Sequence, residues 1–347
     1  MKTKNQNADF LHVGEKLLAW YKIHGRDLPF RNTNDPYKIW ICEIIFQQTR
    51  IEQGLNHYRN FIARFPTVKS LAKAETDEVL LYWKGLGYYS RALNLHKASL
   101  QIMNDFKGKF PADYDDILSL SGVGKYTAAA ISSICFGHKI PAVDGNFYRV
   151  LSRIFADDFD ISNSKAFVYF SELALLIMPQ KKAGHFNEAM MDLGSEICKP
   201  KNPLCLECPL MQDCLAFNTG TIQNFPVKTK KVKPTDLELT YYFVGFKDQF
   251  LIRQRDEDFI WKKLYEFPTT LPEDLQNFIL SQKTVAHKLT HKNLKIHLYK
   301  VILPNHSLLK NFAKKEGFSI TTREESHQKS FPKPLENYLA QLNTELF

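Results

Sequence analysis

Apolar positions repeat at helical spacing through the first two thirds of the chain. Helix-length patterns run over 10–21, 36–51, 53–64, 76–82, 88–105, 113–118, 125–135, 146–155, 164–177 and 185–196, with Gly-, Pro- and Asp/Ser-rich breaks between them. Past residue 217 the pattern changes. Residues 218–234 hold Gly220, Pro226 and Pro234 with Lys228, Lys230, Lys231 and Lys233 and no acid, a composition that reads as a basic linker. Beyond it, 239–246, 250–253 and 295–303 are β-type runs, and 272–281 and 334–342 have the pattern of short helices. The expected organisation is an all-α domain over 1–217, a linker over 218–235 and an α+β domain over 236–347, which suits a chain of 347 residues.

Composition narrows the setting. No stretch approaches the roughly 18 apolar residues of a membrane span, and the polar residues 1–9 lack the apolar region of a signal peptide. A reducing cytoplasm is expected, where free thiols and metal sites outnumber disulfides. The formal net charge of +9 favours a polyanionic partner, most simply nucleic acid. Four of the six cysteines fall in one stretch: Cys198, Cys205, Cys208 and Cys214, spaced C-x6-C-x2-C-x5-C. Such density in a reducing compartment points to a metal centre. Four thiolates at these intervals suit an iron–sulfur cluster. Tetrahedral zinc is the alternative, although zinc sites usually come as two C-x2-C pairs and one is present. Cys42 and Cys135 read as small core residues.

Two carboxylates carry candidate chemistry. Residues 39–46 are apolar on nearly every face of a helix except at Glu43, and a carboxylate stripped of water takes a raised pKa, as a general acid near neutral pH requires. A buried glutamate paired for structure alone would leave the same pattern. Gly122 and Gly124 lie between two helical segments ahead of Lys125. Both can take positive φ and turn successive N–H groups toward a phosphate at the next helix start. A tight turn without a ligand is the alternative, and there is no P-loop motif. About twenty residues on, Asp144 stands at the expected N-cap of another helix, whose positive end would keep it ionised. One carboxyl pushed toward neutral and one held anionic is the division of labour that cleaves a glycosidic bond: the acid protonates the leaving group and the anion stabilises the oxocarbenium-like sugar.

Taken in order, several segments resemble the helix–hairpin–helix DNA glycosylases and, within them, the MutY adenine DNA glycosylases. These are Arg26-Asp27-Leu28-Pro29-Phe30-Arg31, Asp35-Pro36-Tyr37, Glu43 with Gln47-Gln48-Thr49, Gly85-Leu86-Gly87-Tyr88-Tyr89, the glycine hairpin, Val143-Asp144-Gly145-Asn146, Phe186-Asn187-Glu188-Ala189 and the four-cysteine loop. The resemblance covers nearly the whole chain. It implies an all-α helix–hairpin–helix glycosylase domain with an iron–sulfur loop, followed by an α+β Nudix-like domain. It also implies removal of adenine mispaired with 8-oxoguanine or guanine, a [4Fe-4S] cluster on the four cysteines, and a monomer acting on double-stranded DNA. Glu43 would protonate adenine N7 and later activate water. Asp144 would stabilise or bond to the sugar C1′, supported through hydrogen bonds by Tyr126 and Asn146. Arg26, Leu28, Arg31 and Glu188 match positions around the extruded adenine. Gln48, Thr49, Leu86 and Tyr88 match the wedge that fills the vacated stack and touches 8-oxoguanine. Gly122, Gly124 and Lys125, with Lys199 and Lys201 in the cysteine loop, would meet phosphate.

An endonuclease III-like lyase is the alternative within the superfamily. It needs a nucleophilic lysine where this chain has Tyr126, and it resembles the first domain alone. A non-catalytic iron–sulfur DNA-binding protein or an electron carrier is an alternative of another class; a carrier has no use for a carboxylate inside an apolar helix, and its cluster loop need not sit beside a phosphate-binding hairpin. The second domain resembles the family's 8-oxoguanine-reading domain at 251–255, 264–268 and 331–334. It lacks the R-E-x-x-E-E helix, so Mg²⁺-dependent pyrophosphate hydrolysis is not expected. The family's Phe-Ser-His recognition loop corresponds to Leu289-Thr290-His291, which keeps a hydroxyl and an imidazole. Phe30, Phe46 and Ser121 stand where the family usually has Trp, Leu and Pro, and the two phenylalanines would reshape the adenine pocket.

Overall fold

A computed structural model describes residues 10–230, 233–256 and 259–345; the N-terminal stretch 1–9 and Lys231 of the expected linker lie outside the described residues. By contacts the chain forms two units. One takes the chain as far as Lys73 and resumes from Asn94 to the linker; the other takes Ala74–Leu93 together with the chain after the linker.

The first unit is helical. Its elements are α1 (Leu11–His24), α2 (Pro36–Ile45), α3 (Ile51–Arg64) and α4 (Val68–Ala72). After α5 (Thr76–Tyr82), which belongs to the other unit, come α6 (Ser90–Asp105), α7 (Tyr114–Ser119), α8 (Lys125–Phe136), α9 (Gly145–Phe155), α10 (Ala166–Ile177), α11 (Ala183–Asp192) and α12 (Leu215–Asn218). Local chemistry sets several ends. Asp35 caps α2 by accepting from the Tyr37 N–H, with Pro36 in the first turn. Gly137, at φ +72, stops α8. The helix expected over 36–51 is split, because Gln48 takes left-handed backbone at φ +57 between α2 and α3. Apolar faces of α1, α9, α10 and α11 meet around Leu17, Phe147, Phe170, Phe186 and Met190. Among the described residues no helix is long and apolar enough to cross a membrane.

The second unit is built on a mixed sheet of β1 (Thr235–Phe246), β2 (Gln249–Gln254), β3 (Tyr265–Glu266), β4 (Ile279–Lys288), β5 (Lys292–Ile302) and β6 (Ser319–Thr322). The order is β3-β2-β1-β5-β4, with β6 on β2. β1 and β5 run parallel, from Thr235 opposite Lys292 to Gly245 opposite Ile302, and the other pairs are antiparallel. Alternation along β1 divides the core. Tyr241 and Phe243 pack toward Leu335 and Tyr338 of α15 (Lys333–Glu345), and Val244 toward Leu309 and Phe312 of α13 (His306–Glu316). A short helix, α14 (Arg323–Ser326), follows β6.

The helix expected over 272–281 is not formed. Glu273–Phe278 coils as a 3-10 turn, and Ile279 opens β4. β4 is a largely exposed, polar edge strand, so its apolar pattern was too weak to mark it. Residues 74–93, expected among the first domain's helices, are tied to the sheet unit. The Asp77 carboxylate accepts from the Tyr265 hydroxyl at 2.6 Å and from Gln254 Nε2 at 2.7 Å. Lys84 pairs with Glu336 at 2.9 Å.

Candidate active site

A cavity of about 180 Å³ opens in the first unit, lined from α2, α8, α11 and the start of α9. At ~30 Å³ per water that is the space of about six waters, the scale of a single heterocyclic base. Glu43, Tyr126, Asp144 and Asn146 line it, and so do Arg26, Leu28, Arg31 and Glu188. Eight side chains spread over more than 160 positions of sequence thus meet around one space. Phe30 and Phe46 complete part of the wall, their ring centroids 5.0 Å apart.

Glu43 projects from α2, whose other residues from Ile39 to Ile45 are buried. Burial lifts its pKa from the ordinary carboxylate range to about 7. A hydrogen bond with Tyr126 and the charge of Arg31 pull it back, while Glu188 and Asp144 push it up. The Tyr126 hydroxyl also lies 3.4 Å from Met191 Sδ. Burial, and then the charge of Glu43, raise its own pKa well above the usual value, so it is a neutral donor.

Asp144 is the N-cap of α9, as its position in the sequence suggests. Its Oδ1 accepts from the N–H groups of Asn146 and Phe147, both at 2.9 Å, and its Oδ2 from Asn146 Nδ2 at 2.8 Å. The cap does not act as expected on the charge. Burial outweighs the three hydrogen bonds and the nearby Arg149, and the pKa of Asp144 is raised, not lowered. Both carboxyls are therefore lifted by burial. They differ in that Asp144 has three donors aimed at its ionised form, whereas Glu43 has Tyr126. Asn146 is itself held: Arg149 Nη2 donates to its Oδ1 at 2.7 Å and to the Gly194 carbonyl at 2.8 Å, and Arg149 Nε to the Cys198 carbonyl at 2.7 Å. A Cβ at Gly194 would stand 2.5 Å from Asn146 Cβ, so glycine is what admits Asn146 at this place.

The opposite wall is an ionic network. Arg31 pairs with Glu188 at 3.1 Å and with Asp192 at 3.0 Å. Tyr21 donates to Glu188 at 3.1 Å. Asn187 accepts from the Ala142 N–H at 3.0 Å and donates to Ser133 Oγ and the Ile140 carbonyl, which fixes α11 against the chain that leads into Asp144. Sequence reasoning missed Tyr21 and Asp192. For Asp192 a signal existed: it follows Glu188 by four residues and shares its helix face.

The remaining candidates lie outside this cavity's lining. Gln48 and Thr49 are on the turn between α2 and α3. Leu86 and Tyr88 fall in the second unit, Leu86 buried at 7% exposure and Tyr88 projecting at 48% with left-handed backbone at φ +46. Thr290 and His291 form the exposed tip between β4 and β5, and the Thr290 hydroxyl is 2.6 Å from that of Tyr88. In the hairpin, Gly122 has φ +74 and a Cβ there would meet Asn94 at 2.5 Å. Gly124 departs from expectation: at φ −94 it is the extended N-cap of α8, with open space where a Cβ would be. No side chain caps α8, which leaves its first N–H groups available to a phosphate, while the Lys125 ammonium lies over the Phe167 ring.

Cys198, Cys205, Cys208 and Cys214 are free thiols that line one small cavity with Arg153, Ile197 and Met211. Among the described residues no three His, Cys, Asp or Glu converge as they would on a single ion. Four thiols around a shared apolar space fit a polynuclear cluster. Arg153 Nη1 lies 3.3 Å from Cys198 Sγ and supplies positive charge beside it.

Family models place these features. The HhH-GPD superfamily of base excision DNA repair proteins matches residues 41–173, the iron–sulfur binding domain of endonuclease III matches 198–214, and the NUDIX domain matches 241–341. The adenine DNA glycosylase of Buchnera aphidicola subsp. Schizaphis graminum is 35% identical over 338 residues, covering 93% of this chain and 96% of that one. The human adenine DNA glycosylase is 37% identical over 209 residues, 58% of this chain and 38% of its own length. Among solved structures, a thermostable thymine-DNA glycosylase aligns with a TM-score of 0.57 at 31% identity, over 61% of this chain and 98% of that one. Endonuclease III in a non-covalent complex with DNA aligns at 0.52 and 21% identity over 61% and 97%, a likeness of fold.

Proposed function

We propose a lesion and a set of residue roles from one premise: the chain belongs to the adenine DNA glycosylase family. It is a DNA repair hydrolase that cleaves the N-glycosyl bond of adenine, and it carries an iron–sulfur cluster. The proposed substrate is adenine opposite 8-oxoguanine or guanine in duplex DNA, bound by a cytoplasmic monomer. The observation that carries the chemistry is Glu43, with its pKa near 7, facing the same base-sized cavity as the hydrogen-bonded Asp144.

The roles follow from protonation. Glu43 enters as the neutral acid and gives its proton to adenine N7. The C1′–N9 bond then breaks, and its electron pair stays on the departing base. The cation left on the sugar is stabilised by the Asp144 carboxylate, whose orientation Asn146 and the first N–H groups of α9 fix. Glu43, now anionic, takes a proton from the water that adds to C1′. Arg31 and Glu188 offer a donor and an acceptor to the base edge. The hairpin supports hydrolysis over the lyase alternative: a tyrosine, Tyr126, stands where a lyase needs its lysine, and the neighbouring Lys125 lies over Phe167. The four cysteines hold the cluster, which cross-links their loop when bound.

The opposite base is the part of this reading carried by Tyr88, Thr290 and His291, which present two hydroxyls and an imidazole at one exposed tip. Single-turnover release of adenine is expected to be fast opposite 8-oxoguanine, slower opposite guanine and negligible opposite thymine. Equal rates for all three would remove the proposed substrate. Gly194→Ala tests the sugar side. Forcing a methyl against Asn146 should displace the Asp144 carboxylate's partner and slow excision about a hundredfold, and an unchanged rate would count against that support.

A further inference from the structure

Asp192 closes α11 with a fully buried side chain that is not part of the cavity lining. Its Oδ2 accepts from the backbone N–H of Arg26 at 3.0 Å. Its Oδ1 accepts from Arg26 Nε at 2.9 Å, Arg26 Nη2 at 2.6 Å and Arg31 Nη2 at 3.0 Å. Both arginines line the adenine cavity. A carboxylate without solvent persists only when it is fully paired, and here one anion organises two cations from the segment between α1 and α2.

We propose that Asp192 is a positioning residue for adenine excision: it anchors Arg26 and Arg31 in the cavity wall and offsets the charge that Arg31 turns on Glu43. The proposal rests on the reading of Glu43 as the acid. Without Asp192, Arg26 keeps only a longer pairing with Glu196 at 3.8 Å, and its side chain, 27% exposed, is free to leave for solvent. Arg31 is more enclosed and stays with Glu188 and Tyr21. Its positive charge then faces Glu43 with one counter-ion fewer.

The groups facing Glu43 are Arg31, Tyr126 of α8, Asp144 at the start of α9 and Glu188 of α11, with Cys42 on its own helix. Of these groups Asp192→Asn touches Arg31 alone: it removes one of that cation's counter-ions and so strengthens its pull, which favours the ionised Glu43. Single-turnover excision should therefore lose its acid-dependent limb at lower pH than in the wild-type protein. A residue that served the fold alone would scale the rate equally at every pH.

The experiment uses the full chain with its cluster and an adenine·8-oxoguanine duplex, between about pH 5.5 and 9. Asp192→Asn is expected to move the alkaline limb acidward, so that its deficit relative to wild type grows about tenfold between the two ends of the limb. Arg26→Met removes a cation and leaves more of the Asp192 charge to screen Arg31, so its limb should move the other way. If Asp192→Asn does not fold, Arg26→Met decides alone, because it leaves the buried acid paired to Arg31: a limb moved to higher pH supports the proposal, and one that stays or moves acidward overturns it. Limbs that stay in place in both variants, or move together, overturn the proposal. A wild-type profile with no limb near neutrality overturns the acid role of Glu43 itself, and this inference with it.

Discussion

Glu43→Gln is expected to abolish adenine release, a loss of about a thousandfold or more for a missing general acid, while binding of the mismatched duplex persists. Glutamine keeps the shape and can still bond to Tyr126, but it has no proton to give to N7 and none to take from water. A duplex with labelled adenine, followed over hours, measures this; release at the wild-type rate would refute the assignment. The same substitution should also stabilise the protein at alkaline pH. In the folded chain the Glu43 carboxyl has a pKa of about 7, above its ordinary 4.5. A raised value means that folding is favoured by the protonated form. That contribution is complete below the unfolded value and is lost as pH climbs through about 7, where the native site must hold an anion among apolar groups. Glutamine does not titrate. The gap in Tm between variant and wild type should be small near about pH 5 and wide at about pH 8; a flat gap would mean the site does not hold the carboxyl toward neutral.

Cys208→Ser is the second substitution with a large expected effect. Cys198 and Cys208 pack against the core that α1, α9, α10 and α11 share, so the loop is part of that core's boundary. Arg149 and Arg153 both donate to carbonyls of the loop, of Cys198 and Lys199 respectively. Arg149 also holds Asn146, so a loop freed from its metal removes the brace behind Asp144. The variant is expected to lose most of its iron and visible absorbance, to melt several degrees lower and to excise adenine poorly even where DNA binding survives. Full iron content with an unaltered Tm would show that this thiol is not a ligand.

The long helices of the first unit were legible because their apolar stripes repeat over ten or more residues, whereas α4 and α12 are too short to show a repeat; Glu43 was legible because a carboxyl interrupts an otherwise apolar turn. The cap at Asp144 was legible too, yet the direction of its pKa was not. A cap is a local property, whereas the enclosure that raises the pKa is made by helices distant in sequence. Asp192 was missed for the same reason: its partners Arg26 and Arg31 lie 166 and 161 positions away. β4 was not anticipated, because an exposed edge strand carries little alternation to read.

The grouping of residues 74–93 bears on how this protein could be dissected. Asp77, Lys84 and Tyr88 each draw a partner from beyond the basic linker: Tyr265 and Gln254, Glu336, and Thr290. A fragment severed at the linker would therefore keep α5 and these three side chains but surrender those four partners. A chimera built on this chain inherits the same seam. An exchanged carboxy-terminal domain carries its counterparts intact only when the twenty-residue insert from Ala74 to Leu93 travels with it.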